Sequence, residues 1–495
     1  MEQLKDYNID LNSDSLENVK KIKDNIDNFV SQEYVKDLSI TFSSLLDIPS
    51  NIIDKKIKQI IYDNFDYKDE DPRFKINYSW LSSLKYFFLF FILIIFKKKN
   101  KLINNKKKKI DIVLDNVEKH YVLEKFKKTL SNFNSSLIIH KKPLPEKISF
   151  NKETIYCYIH SFLFSNEILI GKTVSFLKIL VKLLCLSKKR KINLIKIYFI
   201  FFYSSLKYYR IFNFYKSNLL IHDRIYHSCP LRNYIFKKTG GIKVFCLQSH
   251  LAEGTISVFN DIDTLVTFGR ETDTKTKLEL LGGNINDIVS CGSIRMEHAL
   301  SNLQKIDEIN QIDILLIGIN LANWVGTSKK IMEIYYQHLH WISRICKKYP
   351  NLKILIKHHP NYKFDRKEHE ILKATNIQTI INPQKGFNSY HFLLKSKLVL
   401  SFGSTMILEG LGLGKNCYYL DPDAKNSTFF NYLEYLNKKR VKSFEQLEVL
   451  VQKFAANNEL ILKEDNENIS LTHMNASQNL YKLLSKYNNE NKDSE

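Results

Sequence analysis

The sequence predicts an α/β protein with two doubly wound parallel-sheet domains in tandem, preceded by a helical extension. Three observations predict it. From Ile110 onward, short apolar runs alternate with amphipathic helical stretches, the pattern of a parallel sheet covered on both faces. A second series of the same kind follows residue 311. Near its end, Lys397 to Leu420 reads as strand, Gly-Ser-Thr turn, apolar helix and strand. Gly403, Gly410, Gly412 and Gly414 fall in that stretch, although the 495 residues hold only 15 glycines. A strand that feeds a helix through a small polar turn presents unpaired backbone N–H groups, a ready anion site. An ordinary βαβ unit that uses its glycines for close packing fits the same residues.

Residues 1–107 form the extension. Polar helical periodicity in "LENVKKIKDNIDNFV" and "NIIDKKIKQIIYDNF" gives way to "WLSSLKYFFLFFILIIF" and then to eight lysines between Lys97 and Lys109. The uninterrupted apolar run, Tyr86 to Phe96, is shorter than the roughly 18–20 residues that span a bilayer. An apolar helix beside a polybasic run fits the interface of an anionic inner leaflet. A buried helix followed by a solvated lysine loop fits equally. A full span from Trp80 would have to carry Lys85.

Residues 108–305 form the first doubly wound domain. Its strands are read in "IDIVLD", "SLIIH", "SNLLIHD" and "GIKVFCLQSH", and its helices in "VEKHYVLEKFKKTLSNF" and "YHSCPLRNYIFKKTG". Between them, "FLKILVKLLCLSKKRKINLIKIYFIFFYSSLKYYR" interleaves lysines with apolar residues, a second candidate membrane-facing element. Residues 306–480 form the second domain, with strands "IDILLIGIN", "NLKILIKHHP", "IQTIIN", "SKLVLSF" and "CYYLDP" and a closing helix near "SFEQLEVLVQKFAANN". The polar residues 481–495 read as a disordered tail. Ligands of such sheets bind beyond the carboxyl ends of the strands. That rule selects "LQSHLAEG" (247–254), "KHHPN" (357–361) and the turn at Gly403, Ser404 and Thr405.

Composition narrows the partners. Globular values of 44% hydrophobic and 25% charged residues argue against wholesale disorder. The net charge of +22 favours an anionic partner, but no zinc-finger, RRM or helix-turn-helix pattern is present and no nucleic acid is expected. The seven cysteines are scattered through apolar runs, as in a reducing compartment. With a polar, acidic N-terminal stretch and no secretory signal, the expected location is cytoplasmic, peripheral on the inner face of the cell membrane.

At the three strand-end motifs the chain resembles the GT-B glycosyltransferases that build bacterial capsules and other surface polysaccharides. The likeness is to the polysialyltransferase and capsule-transferase type, with the CDP-glycerol glycerophosphotransferases nearby, and it covers roughly residues 215–425. The resemblance implies a GT-B-like fold with two Rossmann-like domains facing a cleft. It assigns nucleotide binding to His359-Pro360 and to Ser404-Thr405 beside Gly403. It places the catalytic acidic residue at Glu253-Gly254, where Ala252 stands in place of a second acidic residue. "CGSIRMEH" (291–298) is similar to the interdomain segment of such enzymes and supplies Arg295. The family needs no catalytic metal and no cofactor beyond the nucleotide-sugar substrate, so Asp421 and Asp423 of "DPD" read as a strand-ending turn.

The residue types suit that chemistry. A nucleotide leaving group gains charge as the glycosidic bond breaks, and positioned donors stabilise it. His359 offers a ring nitrogen, Ser404 and Thr405 offer hydroxyls and amides, and Arg295 offers a guanidinium that meets phosphate or bridges the domains. His359 as a strand-end cap before Pro360 is the plainer alternative. Glu409, one turn beyond Thr405, either reaches a ribose hydroxyl or lies on the surface. On the acceptor side Glu253 or His250 takes the hydroxyl proton, with Asp223 a third candidate that also suits a helix cap. The expected partners are a nucleotide-activated donor, a polysaccharide or lipid-linked acceptor and an anionic membrane surface. A non-hydrolysing sugar-nucleotide epimerase and a non-catalytic membrane-associated scaffold are the alternatives.

Overall fold

The computed structural model describes residues 23–62, 65–66, 73–74, 76–95, 107–117, 120–140, 147–158, 172–224, 228–248, 259, 261–269, 283–301, 303, 311–318, 329–359, 362, 364–381, 388–401, 404–422, 438–456 and 475–489. Two parallel sheets carry the architecture, as the alternating pattern predicts.

The first sheet contains β1 (Lys108–Val117), β2 (Ser135–His140), β3 (Glu153–Tyr158), β4 (Tyr215–His222), β5 (Lys243–Leu247), β6 (Asp261–Thr267) and β7 (Asn284–Ser290). Their spatial order is β3-β2-β1-β4-β5-β6-β7, with every pairing parallel. The chain runs outward from β1 to β3, returns to β4 and continues the other way. This is a doubly wound sheet with its switch point between β1 and β4. Strands such as β2, buried at every position, have apolar centres because helices cover both faces. The sequence reading placed the last clear strand of this domain at β5; β6 and β7 extend the sheet by two. Polar residues at their starts and along the exposed β7 break the apolar run that marks the inner strands.

One face of the first sheet is covered by α5 (Thr173–Arg190), α6 (Leu194–Phe214) and α7 (Pro230–Lys238). The extension lies on these helices through α1 (Glu33–Leu46), α2 (Ser50–Tyr62) and α3 (Trp80–Ile95). One apolar cluster runs from Ile26 through Phe42, Phe90 and Tyr198 to Ile285, so the extension shares the first domain's core. Phe42 stacks on Tyr198 at 4.9 Å, and Lys55 reaches Asp261 at 2.6 Å. Helix α6 is buried at twelve positions and is a core element, not a membrane-facing one. Among the described residues no helix is long and apolar enough to cross a membrane.

The other face is covered by α4 (His120–Leu130), α8 (Ile294–Ser301) and, from the far end of the chain, α14 (Ala476–Asn489). The expectation of a disordered tail over 481–495 is corrected here, since the helix includes residues 481–489. Its amides and small polar residues mislead by composition. Ala476, Leu480 and Leu484, at helical spacing, are fully buried in the first domain's core.

The second sheet contains β8 (Ile312–Ile317), β9 (Ile354–Lys357), β10 (Gln378–Ile380), β11 (Ser396–Ser401), β12 (Asn416–Leu420) and β13 (Arg440–Val441). Its order is β10-β9-β8-β11-β12-β13, again parallel at every pairing, with the switch point between β8 and β11. Helices α9 (Lys329–Lys348) and α13 (Phe444–Leu450) cover one face. Helices α11 (Ser389–Leu394) and α12 (Met406–Gly412) lie on the other, together with Phe268 and Met296 of the first domain. The apolar contact between the domains therefore lies on the α11–α12 side, and α10 (Arg366–Leu372) flanks the end of β9.

Candidate functional site

Three of the predicted nucleotide residues, His359, Ser404 and Thr405, follow strands at the carboxyl edge of the second sheet. Ile317 is in register with both Lys357 and Ser401. Gly318, His358-His359 and the turn after Ser401 therefore leave three adjacent strands at one edge, straddling the switch point. Strands β9 and β11, which lead into His359 and Ser404, are two strand spacings apart, about 10 Å, with β8 between them.

His358 is buried, and its Nε2 lies 2.9 Å from Glu368 Oε1. Its ring stacks on Tyr362 at 3.9 Å. Glu368 also accepts from Tyr335 Oη at 3.1 Å and Tyr362 Oη at 3.0 Å. Burial, with Glu368 beside them, pushes both phenols above their ordinary range, so they stay neutral donors. A Cβ on Gly318 would stand 3.0 Å from His358 Nδ1, a tight contact that glycine avoids where the two strand ends approach. His358 thus anchors the strand end, and His359 is left exposed.

Across the switch point, Ser401 Oγ donates to Ile317 O at 3.2 Å and accepts from Ser404 N at 3.2 Å. Ser404 Oγ accepts from Met406 N at 3.2 Å, and Tyr419 Oη donates to Ser404 O at 3.3 Å. Ser404 and Thr405 are half-buried in this pinned turn. Pro360 and Gly403 lie outside the described residues.

Glu409 sits elsewhere than expected. Only 3% exposed, it accepts from Tyr390 Oη at 2.7 Å and from Ser293 Oγ at 3.2 Å. Both oxygens are held inside the domain interface by these hydrogen bonds. Burial pushes its carboxyl above the usual range, opposed by Arg295, Tyr390 and Ser293.

The first sheet's carboxyl edge holds a cavity of ≈ 570 Å³, counted out to open solvent, at the ends of β4 to β7. Its polar lining is Lys125, Asp223, Arg224, Gln248 and Arg295; Leu247, Val266, Phe268 and Ile294 supply apolar walls. Asp223 lies 3.8 Å from Lys125 Nζ and 3.5 Å from Arg224 Nε. It does not cap α7, whose N-cap is Cys229. Arg295, exposed in the first turn of α8, faces this cavity and also favours ionised Glu409. It stands where the domains meet.

Behind the edge, at the switch point itself, Asp115 is in register with His222. His222 Nδ1 is 3.0 Å from Asp115 Oδ2, and Arg232 Nη1 is 2.5 Å from the same oxygen. His222 Nε2 meets Asn233 Oδ1 at 2.8 Å. Asp115, His222 and Arg232 are all buried; burial, aided by Arg232 and opposed by Asp115, lowers the pKa of His222. Sequence reasoning missed this cluster and missed Lys125 and Arg224. Arg224 follows a strand end and so carried a signal; Lys125 is one lysine among many on an amphipathic helix. The proposed bases Glu253 and His250 lie outside the described residues. Among the described residues no group of His, Cys, Asp and Glu could hold a metal ion.

No protein family and no curated protein matches the sequence. Among solved structures, the chain is similar to UDP-GlcNAc 2-epimerase from Neisseria meningitidis bound to UDP-GlcNAc, at 11% identity and a TM-score of 0.46, over 76% of this chain and 100% of that one. It is similar to MurG of Acinetobacter baumannii at 12% identity and a TM-score of 0.40, over 76% and 99%. It is also similar to the wall teichoic acid polymerase TagF at 12% identity and a TM-score of 0.42, over 83% and 99%.

Proposed function

We propose that the protein is a metal-independent GT-B-type glycosyltransferase. It moves a sugar or polyol phosphate from a nucleotide-activated donor to a surface-polysaccharide or lipid-linked acceptor. What supports this reading is that the strands leading to His359 and to Ser404-Thr405 flank β8 at the switch-point edge of one doubly wound sheet. A polar cavity lies at the corresponding edge of the other sheet. The donor nucleotide belongs to the second domain and the acceptor to the first.

In this reading the acceptor oxygen attacks the donor carbon as the bond to the nucleotide phosphate breaks. His359 and the hydroxyls of Ser404 and Thr405 meet the charge gathering on the leaving phosphate. Glu253, or His250 in its place, takes the acceptor proton. Arg295, at the domain junction, reaches toward the phosphates from the first-domain side.

We also place the enzyme peripherally on the cytoplasmic face of the membrane. Supporting this, the neighbouring helices α3 and α5 turn Trp80, Leu81, Phe88, Ile92, Val174 and Val181 outward. Exposed Lys85, Lys178 and Lys182 lie among them, the composition of an interfacial surface facing anionic lipid.

The test is calorimetric titration with CMP, CDP, UDP and GDP, followed by transfer assays with the sugar-nucleotides of whichever base binds. One nucleotide should bind, and His359→Ala should lower turnover about 10²–10³-fold. Glu253→Gln should abolish transfer with nucleotide affinity retained; a dead His250→Ala beside an active Glu253→Gln would exchange their roles. Absence of binding by all four nucleotides sinks the transferase reading.

A further inference from the structure

Lys125 lines the first-domain cavity from α4, although its side chain is only 12% exposed. An ammonium held out of water needs acceptors for its three N–H donors. Among the described residues Lys125 makes no hydrogen bond. Asp223 Oδ2, at 3.8 Å, stands beyond hydrogen-bond length, and the Phe126 ring lies 5.2 Å from Nζ. Burial pushes the amine down to about 8, opposed by Asp223 and aided by Arg224 and Arg295.

Asp223 follows β4 at the carboxyl edge and is itself buried. Its carboxylate lies 3.5 Å from Arg224 Nε, and a carboxylate offers about four acceptor positions, so one contact does not exhaust it. A cation that only donates and an anion that only accepts, 3.8 Å apart in one cavity, complement a group that does both. A hydroxyl is such a group: its oxygen takes an N–H of Lys125 and its hydrogen goes to Asp223. A phosphate or carboxylate in the same place would meet the like charge of Asp223. The pair is neutral as a unit, so the match does not depend on the net charge of the pocket. Leu247, Val266, Phe268 and Ile294 wall the rest of the cavity, and apolar walls with a few placed polar groups suit the C–H faces of a sugar ring.

We propose that Lys125 and Asp223 form a subsite for a hydroxyl of a sugar or polyol. The identity of that molecule as the acceptor rests on the transferase reading above. The hydroxyl held by the pair is a neighbour of the attacking one, whose proton goes to Glu253 or His250. An acceptor analogue that lacks it leaves both charged groups unanswered, so the subsite selects among acceptors.

The experiment uses the full chain with four neutral probes, galactose, glucose, N-acetylglucosamine and glycerol. Inorganic phosphate, CMP, CDP, UDP and GDP are the comparison. Trace acetylation with acetic anhydride, read peptide by peptide by mass spectrometry, reports the Lys125 amine. Lys128 on the same helix, 58% exposed, is the internal control. At saturation at least one neutral probe should slow labelling of Lys125 by about tenfold and leave Lys128 unchanged. Lys125→Met and Asp223→Asn should each weaken binding of that probe about tenfold or more, read by saturation-transfer NMR, as expected for losing one charge-assisted hydrogen bond. Nucleotide affinity should be retained in both. Lys125→Met keeps the test alive if the buried Asp223 cannot be replaced without unfolding. The proposal is overturned if no neutral probe protects Lys125, or if folded Lys125→Met binds the probe like the wild type. It is also overturned if phosphate or a nucleotide protects Lys125 and the neutral probes do not, because the amine then serves an anion. Protection by a sugar in a chain that binds none of the four nucleotides would end the transferase reading and leave the subsite standing.

Discussion

Glu409 shows how one side chain can join two domains. Its carboxylate takes hydrogen bonds from Tyr390 within its own domain and Ser293 in the other, and burial raises its pKa. An acid raised on folding destabilises progressively as pH climbs from its unfolded value toward the folded one, because the folded state holds its proton longer. Glu409→Gln should remove that loss and leave stability at neutral pH equal or higher. Glu409→Ala should cost about 1–3 kcal/mol by stranding the buried Tyr390 hydroxyl. Denaturant midpoints measured from pH 5 to 8 check both; a flat difference between wild type and the Gln variant would show that the carboxyl does not titrate in this window. Helical spacing from Thr405 correctly suggested that Glu409 shares its helix with the polar turn. What spacing cannot supply is the direction in which the helix presses. Gly410, the next residue, records it: a Cβ there would come within 2.5 Å of Cys417 Sγ on β12.

Among the elements, α3 carries the sharpest divided face. Phe90 is fully buried against Phe199 and Phe202, with ring centroids at 5.3 and 5.0 Å, while Leu81, Phe88 and Ile92 point outward. Removing the helix would therefore damage the core, but the outer row can be changed alone. Replacing Leu81, Phe88 and Ile92 together by Ser should weaken partition onto phosphatidylglycerol-containing vesicles by tenfold or more, since each apolar side chain removed from water is worth about 1.5–3 kcal/mol. The unfolding temperature should be nearly unchanged. Vesicle binding unaltered by the triple variant, or undetectable in the wild type, would remove α3 from any membrane contact. The apolar run 86–96 announced a helix plainly. Its partners were illegible, because a run apolar on every side looks alike against lipid or protein. Most inner strands of both sheets were readable for the opposite reason: buried on two faces, they carry runs of apolar residues, whereas β6, which opens on Asp-Ile-Asp-Thr, was missed. The edge strands β3, β7 and β13 alternate or are too short to signal.

At the scale of the whole molecule, α14 ties the chain's far end to its first sheet. Ser477 N donates to Glu297 Oε2 at 2.6 Å, Tyr481 meets Phe133 at 5.5 Å and Tyr487 meets Phe245 at 5.7 Å. Leu480→Ala or Leu484→Ala, each emptying a fully buried position, should cost about 2–5 kcal/mol. Hydrogen exchange should then quicken in β1, β4 and β5 of the first sheet, and not in β8 to β12. If the second sheet loosened instead, the helix would belong to that domain. Such a strap was beyond reach in the sequence, where α14 follows the second domain without a break in register that assigns it backward. During synthesis the strap sets a schedule. The ribosome finishes the first sheet at Ser290 but does not deliver Leu480 until roughly 10–40 s later at ordinary elongation rates. Over that interval the nascent first domain lacks the helix that covers α4, while the second sheet is already complete at Val441.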